Sequence, residues 1–153
     1  MSGKRLTAAG VALATLCVVA AASGRPAPPS GHTCSATDRQ FIDVAQLNMA
    51  SLTSSAEDFL QGTTKADAVI ATAGSALQNM KGTHPEDPSL AKTRAILGAM
   101  FVEYGKAIRA DAKHRDPGRY IYRAYGLANF AHDVLAEAQR PLQQRGCDVS
   151  PLL

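Results

Sequence analysis

The sequence predicts an all-α fold, an antiparallel up-down-up-down four-helix bundle closed by one disulfide between the chain ends. Three observations carry this expectation. From Thr37 onward apolar residues recur at three-, four- and sevenfold spacing, the period of a helix face. The segments with that period are joined by short links marked by glycine or Asp-Pro, and short links favour antiparallel neighbours. Cys34 and Cys147 flank the periodic region, where such a topology brings its two ends to one pole.

The first residues stand apart from the bundle. Lys4 and Arg5 form a basic start, no residue from Leu6 to Ala22 is charged, and small residues follow at Ala20, Ala22 and Ser23. That pattern reads as a secretory signal over residues 1–23, cleaved near Ala22–Gly24. An uncleaved membrane anchor and lipid attachment at Cys17 are the alternatives; Leu16, before that cysteine, disfavours the second. A proline-rich flexible tail, GRPAPPSGH, spans the start of residues 24–33. The bundle domain is residues 34–153.

Within it, the first helix places Phe41, Ala45, Leu52 and Phe59 on one face, flanked by Ile42, Met49 and Ala56, and stops at Gly62. Thr64, with Asp67 three residues on, is the expected cap of a second helix. That helix turns Ala66, Val69, Ala73, Leu77 and Met80 inward and ends at Gly82. Asp87-Pro88 starts the third, an N-cap acid followed by a proline whose missing N–H costs nothing there. Leu90, Leu97, Phe101, Tyr104 and Ile108 form its apolar face, and Lys113, His114 and Arg115 its basic last turn. Asp116-Pro117 repeats the start signal. The fourth helix runs to Arg145, with Ile121, Ala128, Leu135 and Leu142 at sevenfold spacing and Gly146 as the stop. Ala91, Gly98, Gly105 and Ala112 on the third helix, and Ala124, Ala131 and Ala138 on the fourth, form stripes of small residues that let backbones approach closely; the alternative is a narrow groove shaped for a ligand or a partner helix.

Charge excludes one function class. The chain has 16 basic and 13 acidic residues, +3, and loses Lys4 and Arg5 with the signal, leaving +1. A nearly neutral domain has no global attraction for nucleic acid. Three cysteines become two once Cys17 leaves, and an even pair in an exported chain reads as a bridge. Export and the Ala-rich, Arg-over-Lys composition point to a high-GC, actinobacterial cell and to its envelope or medium.

Catalytic patterns are absent from the sequence. GAMFVEYGKA, residues 98–107, has six residues between its glycines and no Ser or Thr after Lys106, so it is no phosphate loop. There is no G-x-S-x-G, H-E-x-x-H or C-x-x-C-H. Asp111 and His114 are three apart, but no Glu-x-x-His pair accompanies them, and no metal site is expected. FIDVAQLNMASL, residues 41–52, is similar to the first helix of exported ferritin-like bundle proteins, and the similarity stops there.

Two constellations remain. Met49 lies 15 residues after Cys34 and His132 lies 15 before Cys147, so antiparallel helices put them in one layer about 22 Å from the pole. A methionine–histidine pair is the axial set of a haem carrier, the alternative reading. The other constellation is RDPGRYIYRAYG, residues 115–126. Arg119, Tyr122 and Arg123 share one side of its helix, Ile121 and Tyr125 point inward, and Tyr120 takes the far flank. With Lys106, Arg109, Lys113 and Arg115 they form a basic corner at the pole away from the bridge. The sequence therefore predicts a binding module, not an enzyme, with an anionic envelope component or acidic protein as partner, no nucleic acid, no required cofactor and no membrane span after cleavage.

Overall fold

The computed structural model describes residues 33–153; the expected signal and most of the proline-rich tail lie outside the described residues. Four helices make up the described chain, α1 (Ala36–Leu60), α2 (Ala66–Lys81), α3 (Pro88–Asp111) and α4 (Gly118–Gln144), followed by a 3-10 turn at Ser150–Leu152. No strand occurs among the described residues. No helix there is long and apolar enough to cross a membrane.

Local chemistry accounts for the helix ends. Ser35 caps α1, its Oγ accepting from the Asp38 N–H at 3.1 Å. At the other end Gly62 takes φ +74°, and the N–H groups of Gly62 and Thr63 donate to the carbonyls of Phe59 and Asp58. Asp87 caps α3 as expected, with Oδ1 accepting from Ser89 and Leu90 N–H and Pro88 in the first turn. Gly146 stops α4 at φ +84°. Pro141 interrupts the ladder in the last turn of α4, and the Arg145 Nε donates to its carbonyl.

Three boundaries differ from expectation. The cap of α2 is Lys65, not Thr64, and it makes no side-chain hydrogen bond. Thr63 and Thr64 both donate backbone N–H to Asp58, so the threonines finish α1 and cannot start α2. Lys113, His114 and Arg115 are not a last helical turn. His114 sits in the left-handed region at φ +53°, and the Arg115 N–H reaches back to the Ala110 carbonyl, which ends the helix. At α4, Pro117 rather than Asp116 holds the N-cap position. Asp116 acts one residue further out, its Oδ1 accepting from the Gly118 N–H at 2.8 Å.

Each helix packs on its neighbours in the chain, α1 on α2, α2 on α3 and α3 on α4, with a light contact between α1 and α3. Phe41, Met80, Leu90, Phe101, Leu135 and Leu142 are the large side chains at the centre, each almost wholly enclosed. Short side chains surround them, Ala45, Ala73, Ala76, Ala124, Ala131 and Ala138 all being buried. The fourth side of the molecule is open. No Cα of α1 comes within 8 Å of one in α4. The end of this open side nearest the cysteines is filled by the C-terminal segment, where Val149 is fully buried and Leu152 half-buried. Farther along, none of the described residues fills it, and Ile121 and Tyr125, expected in the core, are 51% and 67% exposed. They face the side where α1 would have to close, and α1 stays away.

Cys34 and Cys147 lie with their Cα atoms 5.1 Å apart and their sulfurs at disulfide distance. A buried polar cluster reinforces this pole. Asp38 Oδ1 accepts from the N–H groups of Glu86 and Asp87, and Asp87 Oδ2 accepts from the Arg145 guanidinium. The Cys34 N–H donates to the Arg145 carbonyl at 2.8 Å. Burial pushes the Asp38 carboxyl up, but the hydrogen bonds from Asp87, Ser35 and Glu86 outweigh it and hold it below its ordinary value. The loops before α3 and after α4 and the start of α1 thus share one set of charges.

Candidate anion-binding site

The basic corner is built by a helix, a reversal and a second helix. On α3, Lys106 and Arg109 lie three residues apart on a solvent face, and Lys113 follows in the turn just past the helix end. The turn stopped at His114 then folds the chain back, which sets Arg115 and Arg119 beside them. These five cations, with Ala110, Asp116 and Tyr120, line one open cavity of about 500 Å³. Asp116, its one carboxylate, is already engaged by the Gly118 N–H. Among the described residues, Arg109, Lys113, Arg115 and Arg119 make no ion pair.

The aromatic partner in this cavity is Tyr120, not Tyr122. The Arg119 guanidinium donates to the Tyr120 hydroxyl and lies 4.5 Å from the centre of its ring. That hydrogen bond, with the charge interaction of the same pair, raises the Arg119 pKa, so the group stays a fixed cation. Arg123 and Tyr122 belong to the next groove along α4, shared with Val102, Glu103, Leu127 and Phe130. Arg123 lies 4.0 Å from Glu103, and Lys106 pairs with the same carboxylate. Glu103 therefore joins Asp111 and Asp116 against the six cations between Lys106 and Arg123, and the local charge is +3.

The other predicted pair also shares a cavity. Met49 and His132 line a pocket of about 230 Å³ with Leu97, Ala128, Ala131, Leu135 and the C-terminal Pro151–Leu153. His132 is half exposed, its Nδ1 3.5 Å from Asp133 Oδ1. Pro151–Leu153 was not recognisable as part of this pocket, since nothing in a Pro-Leu-Leu run states where it docks. At the bridged pole, Asp38 lies within 4.8 Å of both bridge sulfurs. The sulfurs are bonded to each other and the carboxylate is taken by N–H groups, so this cluster is structural.

A further cavity went unseen in the sequence. The unfilled part of the open side is an apolar trench of about 340 Å³. Leu52, Thr53, Ala56, Glu57 and Leu60 form one wall, Ile121, Ala124, Tyr125 and Ala128 the other, and Met100 and Tyr104 lie between, so Glu57 is the one charged group in the lining. Burial pushes the Tyr104 phenol up, so it stays protonated. Leu60, at 84% exposed, marks the outer rim beside Ile121 and Tyr125. Comparison with known proteins adds no family to this geometry: no family model, curated protein or solved structure matches the chain.

Proposed function

We propose that the protein is an exported bacterial binding module that acts at the cell envelope or in the medium by holding an anionic partner at its basic corner, without catalysis. One observation carries this reading. Five cationic side chains surround a single open cavity whose one acid is already hydrogen-bonded to backbone. Arginine gives bidentate hydrogen bonds to phosphate or carboxylate, and Arg119 is oriented for that by Tyr120. The helices in this reading form an antiparallel up-down-up-down bundle closed by the Cys34–Cys147 bridge. The shared cavities support it: position 49 meets 132 nearer the bridge, and positions 52–60 meet 121–128 beyond them.

Retention on heparin at low salt, lost as salt is raised, is the expected behaviour of the wild type. Lys113→Glu/Arg119→Glu weakens retention by about tenfold or more, because each reversal removes a contact and adds a repulsion. No retention at low salt, or full retention by the double variant, would sink this reading.

The Met49–His132 pocket supports a second reading, a small-molecule carrier; at about 230 Å³ it would have to widen to admit a haem. Haemin titration of the purified protein then gives a ligated absorption band that His132→Ala abolishes. An identical spectrum from the variant removes His132 as a ligand.

A further inference from the structure

The basic corner and the apolar trench are at the same end of the molecule, and one helix segment carries part of both. In the first two turns of α4, Arg119, Ile121, Tyr122, Arg123 and Tyr125 are all exposed. At 100° per residue they fall in a continuous order around the helix. Ile121 and Tyr125 lie toward the trench, Tyr122 points outward at 80% exposed, and Arg119 and Arg123 lie toward α3. Leu60, from the last turn of α1, extends the apolar half across the trench. The surface is therefore graded across one helix width, from aliphatic through tyrosine to arginine.

We infer that this end of the protein docks on an anionic membrane surface, with Leu60, Ile121 and Tyr125 entering between the lipids and the arginines and lysines holding the headgroups. The inference rests on the anion-binding reading of the corner and names its partner. Aliphatic groups gain by leaving water, tyrosine favours the boundary between headgroup and hydrocarbon, and cations are drawn to anionic lipid. An acidic soluble polymer would engage the cations and leave the trench rim in water. A bilayer accounts for both halves of the surface. It also fits a helix that lies at an interface and does not cross it, since none of the described helices is apolar enough to cross.

The chain contains no tryptophan, so a single substitution makes a clean reporter. Tyr125→Trp replaces an exposed aromatic with another, and circular dichroism checks that helix content is kept. Leu47→Trp, also exposed but far back along α1, is the control. Vesicles containing about a third anionic lipid are expected to shift Tyr125→Trp emission to the blue and to leave Leu47→Trp unchanged. Zwitterionic vesicles and heparin leave both unchanged. Leu60→Ser/Ile121→Ser weakens binding to the anionic vesicles by about tenfold or more while heparin retention stays at wild type. If heparin is retained but Tyr125→Trp emission does not move with anionic vesicles, the membrane inference falls and the corner remains an anion site. A shift in Leu47→Trp, or equal binding to zwitterionic vesicles, also overturns it. Loss of heparin retention in the wild type takes both readings down together.

Discussion

Cys34→Ser/Cys147→Ser unfolds with about 5 kcal/mol less stability than the wild type. The bridge closes a loop with a sequence separation of 113 residues, and a loop of that length costs the unfolded chain ~5 kcal/mol of entropy in the chain-entropy account. For a domain of this size the loss lowers the melting temperature by roughly 15 °C. The variant still folds, because the pole keeps the Asp38, Asp87 and Arg145 cluster and the Cys34–Arg145 backbone hydrogen bond. On an Asp87→Ala background the same double change is worse than additive. That substitution removes the α3 cap and the partner of Arg145 at once, leaving only the bridge and backbone hydrogen bonds, from residues 86 and 87 to Asp38 and from Cys34 to Arg145, to hold the pole. Thermal melts of the four proteins form the cycle. Equal stability with and without the cysteines would mean the ends are held together by something other than the bridge.

Phe101→Ala costs about 4 kcal/mol, the second largest loss, and Phe101→Leu about 1 kcal/mol. Phe101 is 1% exposed, and with Phe41 it supplies the bulk of a core in a chain of only four phenylalanines and no tryptophan. The cost depends on whether the site can collapse onto the space left behind. Here it cannot. The core cluster that contains Phe101 includes six alanines, which have no side chain to swing inward. Urea denaturation measures the difference directly. A loss below about 2 kcal/mol for the alanine variant would mean that the helices slide together, and that the small-residue stripes do not fix their spacing.

The helices were legible where a single residue type has one dominant physical use. Gly62 and Gly146 mark left-handed stops, Gly82 ends α2, and Asp87-Pro88 starts α3 where expected. The cysteine pair was legible for the same reason. Errors came where two uses compete for one residue. Thr64 can cap the helix that follows or close the one before, and its N–H went to Asp58. Histidine can serve in a helix's last turn, and His114 is instead the left-handed stop.

The site was legible as a charge run and not as a shape. Lys106, Arg109, Lys113, Arg115 and Arg119 do surround one cavity. Tyr120 and Tyr122 exchanged roles because the α3–α4 reversal determines which flank of α4 meets the cations. Glu103 was missed because it lies just before the charge run, yet one helical turn from Lys106. Above all, periodicity says which side of a helix is apolar and cannot say whether a neighbour covers it. Ile121 and Tyr125 have the spacing of core residues and look onto the trench.

The open side between α1 and α4 makes the molecule a pair of tweezers. The bridge and the C-terminal segment clasp the two arms at one end, where the Arg145–Asp87 link also ties the end of α4 to the start of α3, and α1 and α4 do not touch at the opposite tips. Separating the tips breaks few contacts, so a small displacement there is the cheapest deformation available to the fold. Its range is limited by the clasp, which resists any motion large enough to part α1 from α4 altogether. An object pushed between the tips would widen the gap by bending the arms and leave the joint intact. The gap between α1 and α4 can therefore vary in width without breaking the bridge or the hydrogen bonds at the opposite pole.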